Sequence, residues 1–232
     1  MKNILLYPLI LFSFHAYCQN DLLQMDWANL EKYAAANAIM KPPAAKEQRI
    51  VFMGNSITEG WLNIDSSFFT GKPYVDRGIS GQTTPQMLVR FRQDVVDLKP
   101  AAVVILAGTN DIAENTGPVT LDFIFGNIVS MAQLAKANHI RVILCAVLPV
   151  YDYPWHQGLE PAQKIRDLNV MIRSYCTQQH IVYVDYYSAM ADERGGLDKK
   201  YSDDGVHPTL AGYRVMEPLV EKAIKVTLQQ KQ

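Results

Sequence analysis

From residue 49 onward the chain alternates short apolar runs with longer stretches of helical spacing, and that alternation admits few folds. Arg49–Met53, Lys72–Arg77, Ala101–Ala107, Arg141–Leu148 and Ile181–Val184 read as strands. Between and after them, Pro85–Leu98, Leu121–Asn138, Pro161–Gln178 and Leu210–Leu228 read as helices, and Asp26–Met40 predicts an earlier helix that Lys41-Pro42-Pro43 stops. Strands that take turns with longer helices build βαβ units, a parallel sheet with helices on both faces. The expectation is one α/β domain around five strands. No repeat, low-complexity tract or flexible linker divides the 232 residues, a length that one core of up to about 250 residues accommodates.

The first residues have a different character. Met1-Lys2-Asn3 is a short basic start, Ile4–Phe14 is apolar, and Ala16-Tyr17-Cys18 supplies small residues at the positions of a cleavage site. This three-part pattern predicts a signal peptide over 1–18 and export to a periplasmic or extracellular location. Lipid attachment at Cys18 is the other reading, which Tyr17 fits poorly because a lipobox wants a small residue there. The apolar run is shorter than the roughly 20 residues of a membrane span. Residues 19–45 then form a helical extension and 46–232 the main domain.

Composition excludes several classes of partner. With 22 basic and 23 acidic side chains and no cationic run, the chain lacks the electrostatic footprint of a nucleic-acid binder. Three cysteines, with no Cys-x-x-Cys and no His/Cys cluster, suggest neither a disulfide scaffold nor a zinc site. Past the export segment only Cys145 and Cys176 remain, either bridged or as two buried thiols.

In open α/β sheets, ligands bind beyond the carboxyl ends of the strands, and the residues that follow these strands carry chemistry. Gly54-Asn55-Ser56-Ile57-Thr58 follows the first strand, Gly78-Ile79-Ser80-Gly81-Gln82-Thr83 the second and Gly108-Thr109-Asn110-Asp111 the third. Asp204-Gly205-Val206-His207 precedes the last helix. Acyl transfer needs a nucleophile, a base, an orienting carboxylate and donors for the developing oxyanion. Ser56 suits the first role, at a strand end where a helix would begin. His207 is the base candidate, because His15 leaves with the export segment, His139 and His180 precede strands at the far edge, and His156 lies in a long loop. Asp204, three residues before His207, is placed to fix its tautomer. The Ser56 and Gly81 backbone N–H groups and the Asn110 side-chain amide would form the oxyanion hole. Each residue alone is ordinary cap or turn chemistry; together, in order, at one edge of the sheet, they make a site.

These four blocks resemble those of the SGNH hydrolases, also called GDSL-like lipases or acylhydrolases, over about residues 49–225. The resemblance implies a flavodoxin-like three-layer α/β/α sandwich, Ser56, His207 and Asp204 as a catalytic triad, and Ser56, Gly81 and Asn110 as the oxyanion hole. Asn55 stands where the family name has aspartate, as in the branch that resembles platelet-activating-factor acetylhydrolase. Such chemistry calls for no metal or organic cofactor. The long loop after the fourth strand carries Tyr151, Tyr153 and Trp155, which either stack on a sugar ring or pack the loop, and Trp61 is placed to line the same pocket. Arg77, Gln82 and Glu59 either touch substrate or hold loops. The expected activity is hydrolysis of short, acetyl-type esters of small molecules or oligosaccharides. Alternatives are a lysophospholipase, thioesterase or arylesterase with the same residues, or a non-catalytic sugar-binding module.

Overall fold

In the computed structural model, which describes residues 26–230, the five apolar runs pair as parallel neighbours. They are β1 (Ile50–Gly54), β2 (Tyr74–Gly78), β3 (Ala102–Ile105), β4 (Arg141–Cys145) and β5 (Val182–Val184), in the order β2-β1-β3-β4-β5. The expected export segment lies outside the described residues. Register brings the carboxyl ends to a common edge: Gly54 lies opposite Gly78, Met53 opposite Ile105, and Ile105 opposite Leu144. The strand order reverses between β1 and β3, the point where a crevice opens in folds of this kind.

Nine α-helices accompany the strands among the described residues: α1 (Glu31–Ile39), α2 (Ser56–Ile64), α3 (Ser66–Phe69), α4 (Thr84–Asp94), α5 (Thr109–Ile112), α6 (Leu121–Ala137), α7 (Pro161–Gln179), α8 (Tyr186–Met190) and α9 (Leu210–Gln229). Side chains alternate across the pleat, so each strand feeds both layers. Val51, Met53, Val103, Ile105, Val142 and Leu144 pack against α4, α6 and α7. Ile50, Phe52, Ala102, Val104, Ile143 and Cys145 pack against α2, α3, α8 and α9. Each fully buried Val, Leu or Ile contributes roughly 1.5–3 kcal/mol. This is the three-layer α/β/α sandwich.

Departures from the sequence reading are local. β3 and β4 stop at Ile105 and Cys145, short of Ala107 and Leu148, because ladder pairing ends where the chain turns into the site loops; Leu106, Ala107, Val147 and Leu148 remain buried. The first helix begins at Glu31, not Asp26, and none of its side chains is fully buried. Cys145 and Cys176 are unbridged and buried, in the cores on opposite faces of the sheet.

Two glycines set how closely the first site helix approaches the sheet. A Cβ on Gly54 would lie 2.0 Å from Thr58 Oγ1, and one on Gly78 would lie 2.1 Å from the Glu59 backbone nitrogen. The start of α2 therefore rests directly on strand backbone, which larger residues would prevent.

Candidate active site

Ser56 is the first residue of α2. Asn55 caps that helix, its Oδ1 accepting the Ile57 N–H at 3.0 Å and its carbonyl the N–H groups of Thr58 and Glu59, so the Ser56 hydroxyl stands at the strand end on a first turn that Asn55 holds. Ser56 Oγ lies 2.9 Å from His207 Nε2. The other ring nitrogen, Nδ1, lies 2.7 Å from Asp204 Oδ2. Asp204 Oδ1 accepts the backbone N–H groups of Val206 and His207, both at 2.8 Å, and the Ser202 hydroxyl at 3.1 Å. Partial desolvation opposes ionisation of Asp204, but the bonds from the His207 ring and these two N–H groups outweigh it and hold its carboxyl below the usual range. An ionised Asp204 accepts the hydrogen bond of Nδ1–H and so fixes that tautomer, which leaves the Nε2 lone pair facing the serine hydroxyl.

The second and third blocks close around this pair. Gly81 adopts φ +78° with open space where a Cβ would be, so its backbone is exposed to a ligand. Asn110, buried on α5, gives one amide proton to Gln82 O at 2.9 Å and keeps the other. Asp111 accepts Thr84 N–H at 2.9 Å and Thr84 Oγ1–H at 2.6 Å, fastening the third block to the start of α4. The fold thus collects Ser56, Gly81, Asn110, Asp204 and His207 at one edge of the sheet.

The aromatic candidates divide. Trp155 is 47% exposed, donates its indole N–H to Asn115 Oδ1 at 3.1 Å, and holds its ring 6.1 Å from the His207 imidazole. Tyr151 is also exposed, beneath the Arg194 guanidinium. Trp61 does not line the pocket. It is buried, stacked on Phe68 and Tyr213 at 4.6 and 5.2 Å, because its place on α2 turns it into the aromatic core. Tyr153 is likewise buried and not a substrate contact: its hydroxyl donates to Thr109 O at 2.8 Å and lies 3.0 Å from Thr109 Oγ1, bracing the residue before Asn110.

Arg77, Gln82 and Glu59 hold loops. Glu59 accepts the Ser80 N–H and pairs with Lys32, Arg77 donates to Asn37, and the Gln82 side chain is buried between Ala28 and Arg90. Arg90 itself escapes the sequence reading. The available signal was a charged pair, Arg90 and Asp94, at the helical spacing of the buried Met87 and Phe91.

Comparison with known proteins shows the family. The model of the GDSL-like Lipase/Acylhydrolase family matches residues 52–215. The solved structure of a candidate acylhydrolase from Bacteroides fragilis superposes with a TM-score of 0.87 and 52% identity, covering 89% of this chain and 100% of that one. Esterase TesA of Pseudomonas aeruginosa is 28% identical over 182 residues, 72% of this chain and 83% of that protein. An acetylxylan esterase of Xylanibacter ruminicola is 25% identical over 228 residues, 82% of this chain; the match spans 46% of that longer protein. On the matched span, the ordered blocks and the shared fold, this chain belongs to the GDSL-like lipase/acylhydrolase family of carboxylic ester hydrolases.

Proposed function

We propose that the protein is an exported serine esterase that removes short acyl groups, acetyl above all, from esterified carbohydrate. The observation that carries the reading is the unbroken line from Ser56 Oγ through the His207 ring to Asp204, 2.9 and 2.7 Å long. His207 Nε2 takes the hydroxyl proton as Ser56 Oγ attacks the ester carbonyl. The tetrahedral oxyanion is met by the N–H groups of Ser56 and Gly81 and the free Asn110 amide proton. Collapse expels the alcohol, which takes the proton from Nε2. Water then attacks the acyl-serine with the same histidine as base, the bond from the acyl carbon to Ser56 Oγ breaks, the acid leaves and Nε2 returns the proton to Oγ.

Carbohydrate is favoured by the exposed Trp155 ring beside His207, an apolar face that suits the face of a sugar, and by the likeness to an acetylxylan esterase. Export rests on the pattern of residues 1–18. The test is release of p-nitrophenol from acetate, butyrate and octanoate esters by the protein and its Ser56→Ala variant, followed by acetylated oligosaccharides. Fast acetate turnover that falls to background in the variant is expected. Preference for octanoate would move the assignment to a lipase or thioesterase, and turnover unchanged in the variant would remove Ser56 as nucleophile. Trp155→Ala is expected to raise KM for an acetylated oligosaccharide by up to about tenfold, leaving ethyl acetate, which has no ring to stack, unaffected.

A further inference from the structure

We propose that Arg90, together with the N-terminal segment Ala28–Asn37 that reaches the same network, positions the oxyanion donors of this enzyme. The inference rests on the catalytic reading above and extends it to residues ahead of the span, 52–215, that the family model matches.

Arg90 is fully buried on the inner face of α4. A guanidinium taken out of water is costly unless its donors find well-placed acceptors, and here each arm has one. Nε donates to Gln82 Oε1 at 2.5 Å, Nη1 to Asp94 Oδ2 at 2.9 Å, and Nη2 to Gly54 O at 2.9 Å. Those acceptors are not scattered. Gly54 leads through Asn55 to Ser56. Gln82 follows Gly81, and its carbonyl receives the Asn110 amide. One planar fork therefore fixes the relative placement of the chain segments that carry all three oxyanion donors.

The N-terminal segment grips the same parts. Gln82 Nε2 donates to Ala28 O at 2.6 Å, and the Tyr33 hydroxyl donates to Gly78 O at the start of the Gly81 loop. Asn37 donates to Asp94 Oδ1 at 2.7 Å and accepts from Arg77, whose guanidinium lies over the Tyr33 ring. Because α1 has no fully buried side chain, polar contacts do much of the work of attaching this segment; three of them end on the Gly78–Gln82 loop or on Arg90's own partner, and others run to Arg77, Gln93 and Glu59. Oxyanion donors act on charge that exists only in the transition state, and they lose value when displaced by about half an ångström. Loosening this brace should therefore lower kcat and leave KM in place.

The test measures kcat and KM on p-nitrophenyl acetate per active site, with competent sites counted by stoichiometric labelling of Ser56 with a fluorophosphonate. Tyr33→Phe removes one hydroxyl and keeps the ring. It should lower kcat per labelled site by roughly three- to tenfold, the value of one hydrogen bond, with KM unchanged. Arg90→Lys keeps the charge but cannot reach three acceptors, and should lower kcat further. Because that variant can fail to fold, the decision falls on Tyr33→Phe. A wild-type kcat per labelled site, with only the melting temperature or labelled fraction reduced, or a loss carried by KM, would overturn the positioning role alone. Failure of the unaltered protein to label at Ser56 would overturn the catalytic reading and the positioning role together.

Discussion

The two sides of the site are built differently. The side proposed to hold the nucleophile is interior: Asn55, Gln82, Thr83, Thr84, Asn110 and Asp111 are buried, and the bonds among them join residues far apart in sequence. The side proposed to hold the base is a surface turn. The side chains of His207 and Asp204 are 39% and 42% exposed, and apart from Ser56 their hydrogen bonds run to residues within three positions. The difference matches the work proposed for each. Donors that meet an oxyanion must hold still, whereas an imidazole that serves first Ser56 Oγ and then the leaving oxygen needs a small swing. Rigidity is supplied by tertiary structure on one side and by local turn geometry on the other.

Four perturbations test that contrast, from the largest effect to the smallest. Asp204→Asn presents an amide to Nδ1, forces the ring proton onto Nε2, and should reduce kcat by about 10⁴-fold; a pre-steady-state assay with p-nitrophenyl acetate would register the missing burst. Asn110→Ala should cost about 10²–10³ in kcat with KM little changed, and a loss carried by KM would mean that the amide binds substrate in its ground state.

The third perturbation uses pH, because an aspartate on each side is displaced in opposite directions. Asp76, on β2 under the loop, is pushed up to about 7 by desolvation, which the Gly78 N–H and the nearby Arg77 and Arg90 offset only in part. The folded state thus keeps a proton that the unfolded chain releases near its ordinary value of 3.8. The stability this gives is complete below that value and lost as pH rises through about 7. Asp204, lowered in the fold, gives stability at neutral pH that is lost on acidification. Melting curves from pH 4 to 8 should show Asp76→Asn gaining on the unaltered protein as pH rises; parallel curves would remove the buried carboxyl as the cause. Smallest is Ser202→Ala, which deletes one bond to Asp204 and should slow turnover by less than about tenfold. A loss as large as that of Asn110→Ala would erase the distinction between the two sides.

The sequence displays the sheet because β-branched runs such as Ala101–Ala107 alternate with long periodic helices, and it displays the candidate site because glycine-bounded polar blocks follow those runs. The short helices α3, α5 and α8 pass unseen, since four or five residues hold little more than one turn of period. Trp61 is misplaced for a related reason, and Tyr153 takes the packing alternative. Proximity in sequence to a site does not fix which way a side chain turns, and both turn inward to pack. Arg90 stayed hidden because its value lies in three acceptors from distant segments, a relation that no local pattern encodes.

Ser56 and His207 meet at 2.9 Å across 151 positions of sequence. Four of the five strands, β2 to β5, lie between them, so this contact is among the last that a growing chain can make, and long-range closures of this kind tend to form slowly. A chain still emerging from the ribosome holds the proposed nucleophile without its proposed base. Turnover is then a property of the finished molecule, and the first product formed reports that both ends of the chain have come home.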